Sequence, residues 1–237
     1  MSITFDCRQH EGRSAGLAAA VAAVRGGQLV VLPIDTSYGV GCDAFNGEAV
    51  HLLCTAKRRP NMPVPVLVGS WAALDGLALT VPSIARNLIE AFWPGGLSLV
   101  LTYAPSLSWD LGDTRGTVMV RMPLHPFALE LLHEVGPMAV SGANSAGNSP
   151  ATTVENAQLQ LGDSVSVYVK GYVTSSLPST IIDLTTPNEP QLLRRGAVSP
   201  HAIFEVIGRD ISPGAVEPTN SRRQPDTAVG GQGTEIE

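Results

Sequence analysis

The chain has 237 residues, of which 44% are hydrophobic and 15% are charged, and its formal net charge is −6. This length and apolar content suffice for one domain with a sizeable core and leave too little chain for two full domains. The acidic balance argues against binding of nucleic acid through bulk electrostatic attraction, because that mode needs a basic excess.

The pattern in the first half of the chain predicts an alanine-rich helix, which is followed along the chain by a strand, a loop, a helix and a second strand. Residues 14–25 form the alanine-rich helix, because Gly26-Gly27 follows as a stop signal. The next predicted elements are a strand over 28–32, a helix over 48–57, a strand over 64–68 and a helix over 82–92. Thr80 is the predicted cap of the last of these helices.

The second half predicts short strands separated by hairpins or helices. The strands cover 97–103, 117–122, 138–141, 165–169, 180–184 and 191–193, and the helices cover 126–135, 152–161 and 200–207. Thr152 and Glu155 form a predicted capping box. This order predicts an α/β fold of the α+β type, with a twisted mixed parallel/antiparallel sheet and flanking helices.

The composition of the chain also sets expectations for its boundaries and its surroundings. Residues 211–237 contain three prolines, four glycines and no aromatic residue, which predicts a disordered tail after a domain over 1–210. Three unpaired cysteines and scattered histidines predict a reducing cytoplasm and no structural metal. No leader opens the chain and no stretch approaches the ~20 apolar residues of a membrane helix, so we expect no membrane association.

Two segments in the first half carry groups suited to an anionic substrate. Residues 33–39, Pro-Ile-Asp-Thr-Ser-Tyr-Gly, supply hydroxyl groups and a glycine, and residues 57–60, Lys-Arg-Arg-Pro, supply cations. They predict a nucleotide or acyl-phosphate site. A dinucleotide fingerprint over 39–44 is disfavoured, because the tight strand-to-helix turn and the acidic ribose ligand are missing.

Each candidate also has an ordinary structural explanation. Lys57 and Arg59 are suited to a helix C-terminus, where cations are favoured by the macrodipole. Arg121 lies in an apolar strand and needs an anionic partner or a wet cavity, so a structural ion pair is one alternative. Residues 141–147 suit either a plain turn or a backbone nest for phosphate.

The combination of dispersed segments favours a ligand-binding site over these separate structural explanations. The segments are 33–39, 57–60, 92–97, 120–123, 142–144, 179–180 and 193–194. In order and spacing they resemble the YrdC/Sua5 family of threonylcarbamoyl-AMP synthases, over about residues 14–208. The resemblance implies a single-domain YrdC-like fold around a positively charged cavity.

The resemblance also implies an activity and a set of site residues. Members of that family are nucleotidyltransferases that convert L-threonine, bicarbonate or CO₂, and ATP with Mg²⁺ into threonylcarbamoyl-AMP and pyrophosphate, which serves a partner transferase that modifies tRNA. Lys57 and Arg59 would be catalytic. The implied threonine-binding residues are Thr36, Tyr38, Arg121 and Ser179, and the implied nucleotide-binding residues are Arg59, Thr117, Ser141, Gly142, Asn144 and Arg194.

Several positions depart from the family pattern, and two of them remove a hydroxyl group. Ile34 replaces a threonine and Gly142 replaces a serine, although Ser141 stands one position earlier. Each lost hydrogen bond to a charged group weakens a site by about 1.5–3 kcal/mol. The alternatives are therefore an altered paralogue that binds a nucleotide or double-stranded RNA without turnover, and a carbamoyl-adenylate enzyme.

Overall fold

The structure, a computed structural model, describes residues 2–173, 177–186, 188–209 and 211–214. Its strands, in chain order, are β1 (Ile3–Asp6), β2 (Val30–Pro33), β3 (Tyr38–Asp43), β4 (Val66–Leu67), β5 (Leu97–Thr102), β6 (Thr117–Arg121), β7 (Met138–Gly142), β8 (Val167–Lys170), β9 (Thr180–Asp183), β10 (Gln191–Arg194) and β11 (Ser212–Pro213). The α-helices are α1 (His10–Arg25), α2 (Gly47–Ala56), α3 (Ala72–Leu77), α4 (Ser83–Phe92), α5 (Pro126–Val135), α6 (Val154–Leu161) and α7 (Pro200–Ile207).

All of these strands join one mixed sheet in the order β1-β8-β2-β3-β7-β4-β6-β5-β9-β10-β11. The β1/β8, β8/β2, β4/β6, β5/β9 and β10/β11 pairs are parallel, and the remaining neighbours are antiparallel. The predicted α/β architecture with a mixed sheet is confirmed. Because β5, β6, β9 and β10 are adjacent, segments far apart in sequence become neighbours.

Strand β3 was predicted as a loop, and that prediction is wrong. Gly39 and Gly41 lie inside the strand, where a Cβ on either residue would approach a methyl carbon of Val140 to 2.8 or 2.6 Å. The glycines therefore make room for the neighbouring strand β7, although glycine weakens strand propensity. The antiparallel pairing of β2 with β3 also excludes a dinucleotide-binding turn at these glycines.

The first helix begins four residues before its predicted start at residue 14, and the edge strand β1 was not predicted. Gly12 lies in the part of the helix that was not predicted, although glycine is a poor helix former. The structure explains this glycine: a Cβ there would lie 2.1 Å from the carbonyl oxygen of Asp6. Gly12 thus allows α1 to pass close to the end of β1.

The predicted helix caps differ in detail from the observed ones. Thr153, not Thr152, caps α6 by accepting a hydrogen bond from the Asn156 amide at 3.1 Å. Glu155 pairs instead with Lys170. Helix α4 has Pro82 at its N-cap and no side-chain cap, so the predicted role of Thr80 is wrong.

The remaining outcomes concern the end of the chain and the thiols. Ser212 and Pro213, which fall in the predicted tail, pair with Gln191 and Leu192 of β10. Residues 215–237 of that tail lie outside the described residues. All three cysteines are buried free thiols. Over the described ranges, no helix is long and apolar enough to cross a membrane.

Candidate active site

Arg121, at the end of β6, is 5% exposed and is bound on three sides. Its Nε donates to the Gly95 carbonyl oxygen at 2.8 Å, its Nη1 to Thr36 Oγ1 at 3.2 Å, and its Nη2 to Asp35 Oδ1 at 2.5 Å. Burial lowers the pKa of Arg121, and the Asp35 carboxylate opposes that shift. Within the described part of the chain, three of the five guanidinium N–H groups are thus engaged, which leaves two for a ligand.

Asp35 was not among the predicted site residues. The sequence signalled that Arg121 needed an anionic partner or a wet cavity, and the structure supplies the partner from the segment that also carries Thr36. The alternative that Arg121 forms a structural ion pair is therefore confirmed. The pair does not exclude ligand binding, because it occupies only part of the guanidinium.

Ser179, which precedes β9, is held by Arg194 and Ser98. Arg194 Nε donates to the Ser179 carbonyl oxygen and its Nη2 to Ser179 Oγ, both at 2.9 Å. The hydroxyl of Ser98 lies 2.8 Å from that of Ser179. Arg194 was predicted for the nucleotide and Ser179 for threonine, and the structure brings the two into direct contact.

Arg121 and Arg194 influence each other electrostatically. Burial and then the charge of Arg121 lower the pKa of Arg194. Like charges repel each other, and an anion between the two guanidinium groups would relieve that repulsion. The groups around Arg121 and Ser179 therefore form one electropositive region.

Lys57, the C-cap residue of α2, is only 3% exposed. Its Nζ donates to the carbonyl oxygens of Gly142 and Asn144 at 2.5 and 2.8 Å, and more weakly to Asn144 Oδ1 at 3.4 Å. The Lys57 carbonyl also accepts from the Ala146 amide at 2.9 Å. Lys57 therefore fixes the loop that follows β7, which contains Gly142 and Asn144.

The two arginines after Lys57 have a different setting. Arg58 has φ 55°. The amides of Arg58 and Arg59 bond to the Thr55 and Cys54 carbonyls, which is a Schellman ending for α2. Arg59 is exposed, and its guanidinium has no hydrogen-bond or ion-pair partner among the residues that the structure describes. The burial of Lys57 and, to a smaller extent, the charge of Arg59 lower the pKa of Lys57 to about 8.

Three other predicted residues make none of these side-chain contacts. Tyr38 donates to the Gly171 carbonyl at 2.7 Å and accepts from the Gly171 amide at 3.0 Å, so its hydroxyl is already bonded. Thr117 donates to the Thr114 carbonyl at 2.7 Å, and it shares a face of β6 with Arg121 about 13 Å further along the strand. Ser141 is half-buried in β7, opposite Val40.

The contacts define two groups of cations. Arg121, which is paired with Asp35, acts electrostatically on Arg194, and Arg59 acts electrostatically on Lys57. In the described part of the chain, no three His, Cys, Asp or Glu side chains are grouped so that they could hold a metal ion. An α/β protein with this arrangement is suited to a ligand that carries both a carboxylate and phosphates.

Comparison with known proteins identifies the family. The Sua5/YciO/YrdC family model, described as telomere recombination, matches residues 22–196. A provisionally named threonylcarbamoyl-AMP synthase of Mycobacterium tuberculosis is 56% identical over 212 residues, which are 89% of this chain and 97% of that protein. The threonylcarbamoyl-AMP synthase of Bacillus subtilis is 35% identical over 196 residues, 81% of this chain and 56% of its own length.

A solved structure of a family member is also similar to this chain. Pyrococcus abyssi Sua5 complexed with L-threonine has a TM-score of 0.81 and 30% sequence identity, over 91% of this chain and 67% of that one. The chain belongs to the Sua5/YciO/YrdC family, and the resemblance in its dispersed segments is confirmed.

Proposed function

We propose that the chain is an L-threonylcarbamoyladenylate synthase, a nucleotidyltransferase that makes threonylcarbamoyl-AMP and pyrophosphate from L-threonine, bicarbonate or CO₂, and ATP. The observation that carries this proposal is the convergence of Arg121, Ser179 and Arg194 on one region, with Lys57 holding the loop after β7. Relatives named as threonylcarbamoyl-AMP synthases support it. So does the relative that was solved with L-threonine.

In this reaction the amine of threonine first combines with bicarbonate or CO₂ to give a carbamate. The threonine carboxylate would be held by the two unused N–H groups of Arg121 and by Ser179, near Thr36. Fixing the carboxylate leaves the amine free to react. The contribution of these residues is positioning, which converts a collision between separate molecules into a reaction between oriented neighbours.

In the second step a carbamate oxygen attacks the α-phosphorus of ATP, and the bond to the β-phosphate oxygen breaks to release pyrophosphate. Negative charge grows on the departing group, so cations and backbone donors are the expected catalysts. Arg59 is suited to the phosphates because its guanidinium is exposed and has no described protein partner. The loop that Lys57 holds, with Gly142 and Asn144, would present backbone groups to the nucleotide.

Mg²⁺ would enter with ATP. The described residues supply no cluster of carboxylates for it, and Asp35 is paired with Arg121. This composition fits an ion that is held mainly by substrate phosphates and water, which is a common mode for Mg²⁺. The product would pass to a partner transferase that modifies tRNA, so we place the protein in the cytoplasm.

The direct test is pyrophosphate release with L-threonine, bicarbonate, ATP and Mg²⁺, with each component omitted in turn. We expect release that requires threonine and a product with the mass of threonylcarbamoyl-AMP. Arg121→Met should reduce kcat/KM for threonine at least about 100-fold, the scale of a lost charge-assisted contact. Arg115→Met is the matched control, because Arg115 is exposed and its one ion pair among the described residues is with Asp113.

Two results would contradict the proposal. Pyrophosphate release that ignores threonine would assign the site to another substrate. Binding of both ATP and threonine without any product would identify a catalytically altered relative, in which Ile34 and Gly142 no longer supply hydroxyl groups that the reaction needs.

A further inference from the structure

We propose that Ser98 is a positioning residue of this site: its hydroxyl donates to Ser179 Oγ and thereby directs the proton of Ser179 toward the carboxylate of the bound amino acid. The identity of that ligand rests on the proposed function. Ser98 is not one of the residues that the family resemblance implied. Its role follows from the contacts around Ser179 and from the number of protons available there.

The sheet places Ser98 beside the site residues. Leu99 of β5 pairs with Val120 of β6, and both belong to the main apolar core. Because side chains alternate along a strand, Ser98 and Arg121 lie on the opposite face. Ser98 is 3% exposed, and its hydroxyl is 2.8 Å from that of Ser179. A polar side chain so deeply buried in an apolar strand needs a hydrogen-bond partner, and Ser179 is that partner.

The hydrogen bonds of Ser179 determine what it can offer to a ligand. A serine hydroxyl has one proton and two acceptor lone pairs. Arg194 Nη2 fills one lone pair of Ser179 Oγ. If Ser98 donates, the second lone pair is filled, and Ser179 can act only as a donor. A group recognised by Ser179 must then be an acceptor, and a carboxylate is the strongest acceptor in an amino acid.

The reverse direction fits the site less well. If Ser179 donated to Ser98, the free proton would belong to Ser98, which has no second hydrogen-bond partner among the described residues. Ser98 lies inside β5, between the neighbouring strands β6 and β9, whereas Ser179 contacts the exposed Arg194. Only donation from Ser98 leaves the free proton on the residue nearer to the ligand.

Neighbouring charges support a carboxylate at this point. Arg121 keeps two unused N–H groups, and its charge acts on Arg194. A carboxylate accepting from Ser179 would lie between these two guanidinium groups and reduce their repulsion. Ser98 would therefore affect how strongly the site distinguishes a charged carboxylate from a neutral group of the same shape.

The test compares two ligands rather than two rates. Calorimetry would give the Kd of L-threonine and of L-threoninamide, which has a neutral amide in place of the carboxylate, for wild-type protein and for Ser98→Ala. We expect the wild-type preference for L-threonine to fall about tenfold in Ser98→Ala, because Ser179 is no longer fixed as a donor. Ser98→Thr keeps the hydroxyl and should restore most of the preference.

Thr180→Val is the matched structural control. Thr180 is adjacent to Ser179 and fully buried, but its hydroxyl bonds to the backbone of Val198. Its loss should lower thermal stability and leave the ratio of the two Kd values unchanged. A merely structural role for Ser98 would make Ser98→Ala behave in the same way.

Three outcomes would overturn the inference: an unchanged ratio in Ser98→Ala, an equal fall of the ratio in Thr180→Val, or wild-type protein that does not prefer L-threonine to its amide. Calorimetry needs no turnover, so the result is independent of the synthase assay. Absence of pyrophosphate release with the expected Kd ratios would refute the proposed activity and leave the role of Ser98 intact.

Discussion

Lys57 illustrates how a residue can belong to a site and act through another group. The family resemblance implies that Lys57 is catalytic, and in the structure its ammonium group donates to Gly142 and Asn144. An ammonium has three N–H donors, and the observed oxygens match that number. We therefore expect Lys57 to support the nucleotide indirectly, by fixing the loop after β7, and Arg59 to be the cation that meets the phosphates.

The titration of Lys57 should be visible in the reaction. Burial and the charge of Arg59 lower its pKa to about 8, so the proton is lost as the pH rises through that value. The neutral amine can donate only two hydrogen bonds, which loosens the loop. We expect kcat/KM for ATP to fall with an apparent pKa near 8 in a profile from about pH 6 to about pH 10.

Two variants assign that titration. Arg59→Gln removes a charge that lowers the pKa of Lys57, so the falling limb of the profile should move to higher pH, whatever the overall loss of rate. Arg58→Gln is the control, because Arg58 is not among the groups that shift the pKa of Lys57. The falling limb of the pH profile should therefore stay in place in this variant. A limb that does not move in Arg59→Gln would show that another group titrates.

The predictability of individual residues depended on chemical rarity. A buried arginine in an apolar strand is unusual enough to require an anion, so the need for a partner of Arg121 could be predicted. Its identity as Asp35 could not, because 21 acidic residues were available. Ser98 gave no signal at all, since a single serine in an apolar strand is common and only the structure places it against Ser179.

At the scale of elements, the loop before β6 packs against the basic segment after α2. The Asp113 amide donates to the Asn61 carbonyl, and the Val64 amide donates to the Leu111 carbonyl. Gly112 lies between them with φ +83°, and a Cβ there would be 2.4 Å from the Met62 carbonyl oxygen. The glycine therefore lets the loop before β6 pack closely against the segment that carries Arg59.

This packing can be tested with a pair of glycines. Gly112 and Gly116 have almost the same φ, +83° and +81°, but a Cβ on Gly116 would meet nothing within 4 Å. Gly116→Ala should cost only the backbone strain, about 1 kcal/mol. Gly112→Ala adds a clash with backbone and should lower the free energy of unfolding by about 2 kcal/mol more in urea titrations. Equal losses in the two variants would show that the loops do not press on each other.

The elements that the sequence predicted well have clear periodicity. Helix α5 was predicted with its observed bounds, because its apolar stripe begins at Pro126 and stops before Gly136. Strand β3 was not predicted, because Gly39 and Gly41 interrupt its β pattern. These glycines are needed because a Cβ on either one would clash with Val140, which is distant in sequence. Short edge strands such as β1 and β11 depend on pairing partners that periodicity does not reveal.

At the scale of the whole molecule, the sheet order creates the site. Arg121 meets Asp35 across 86 positions of sequence, and Ser98 meets Ser179 across 81. No local pattern encodes such contacts, and the order of dispersed segments indicated only that Arg121 and Ser179 belong to one site. The mixed sheet makes them possible, because β5 lies between β6 and β9 and joins the Arg121 region to the Ser179 region.

The most direct test of this account is a crystal structure with L-threonine and a non-hydrolysable ATP analogue bound together. The account predicts the threonine carboxylate between Arg121 and Ser179, and the phosphates beside Arg59 and the loop held by Lys57. Ligands bound to separate surfaces, or a threonine carboxylate that contacts neither Arg121 nor Ser179, would contradict it.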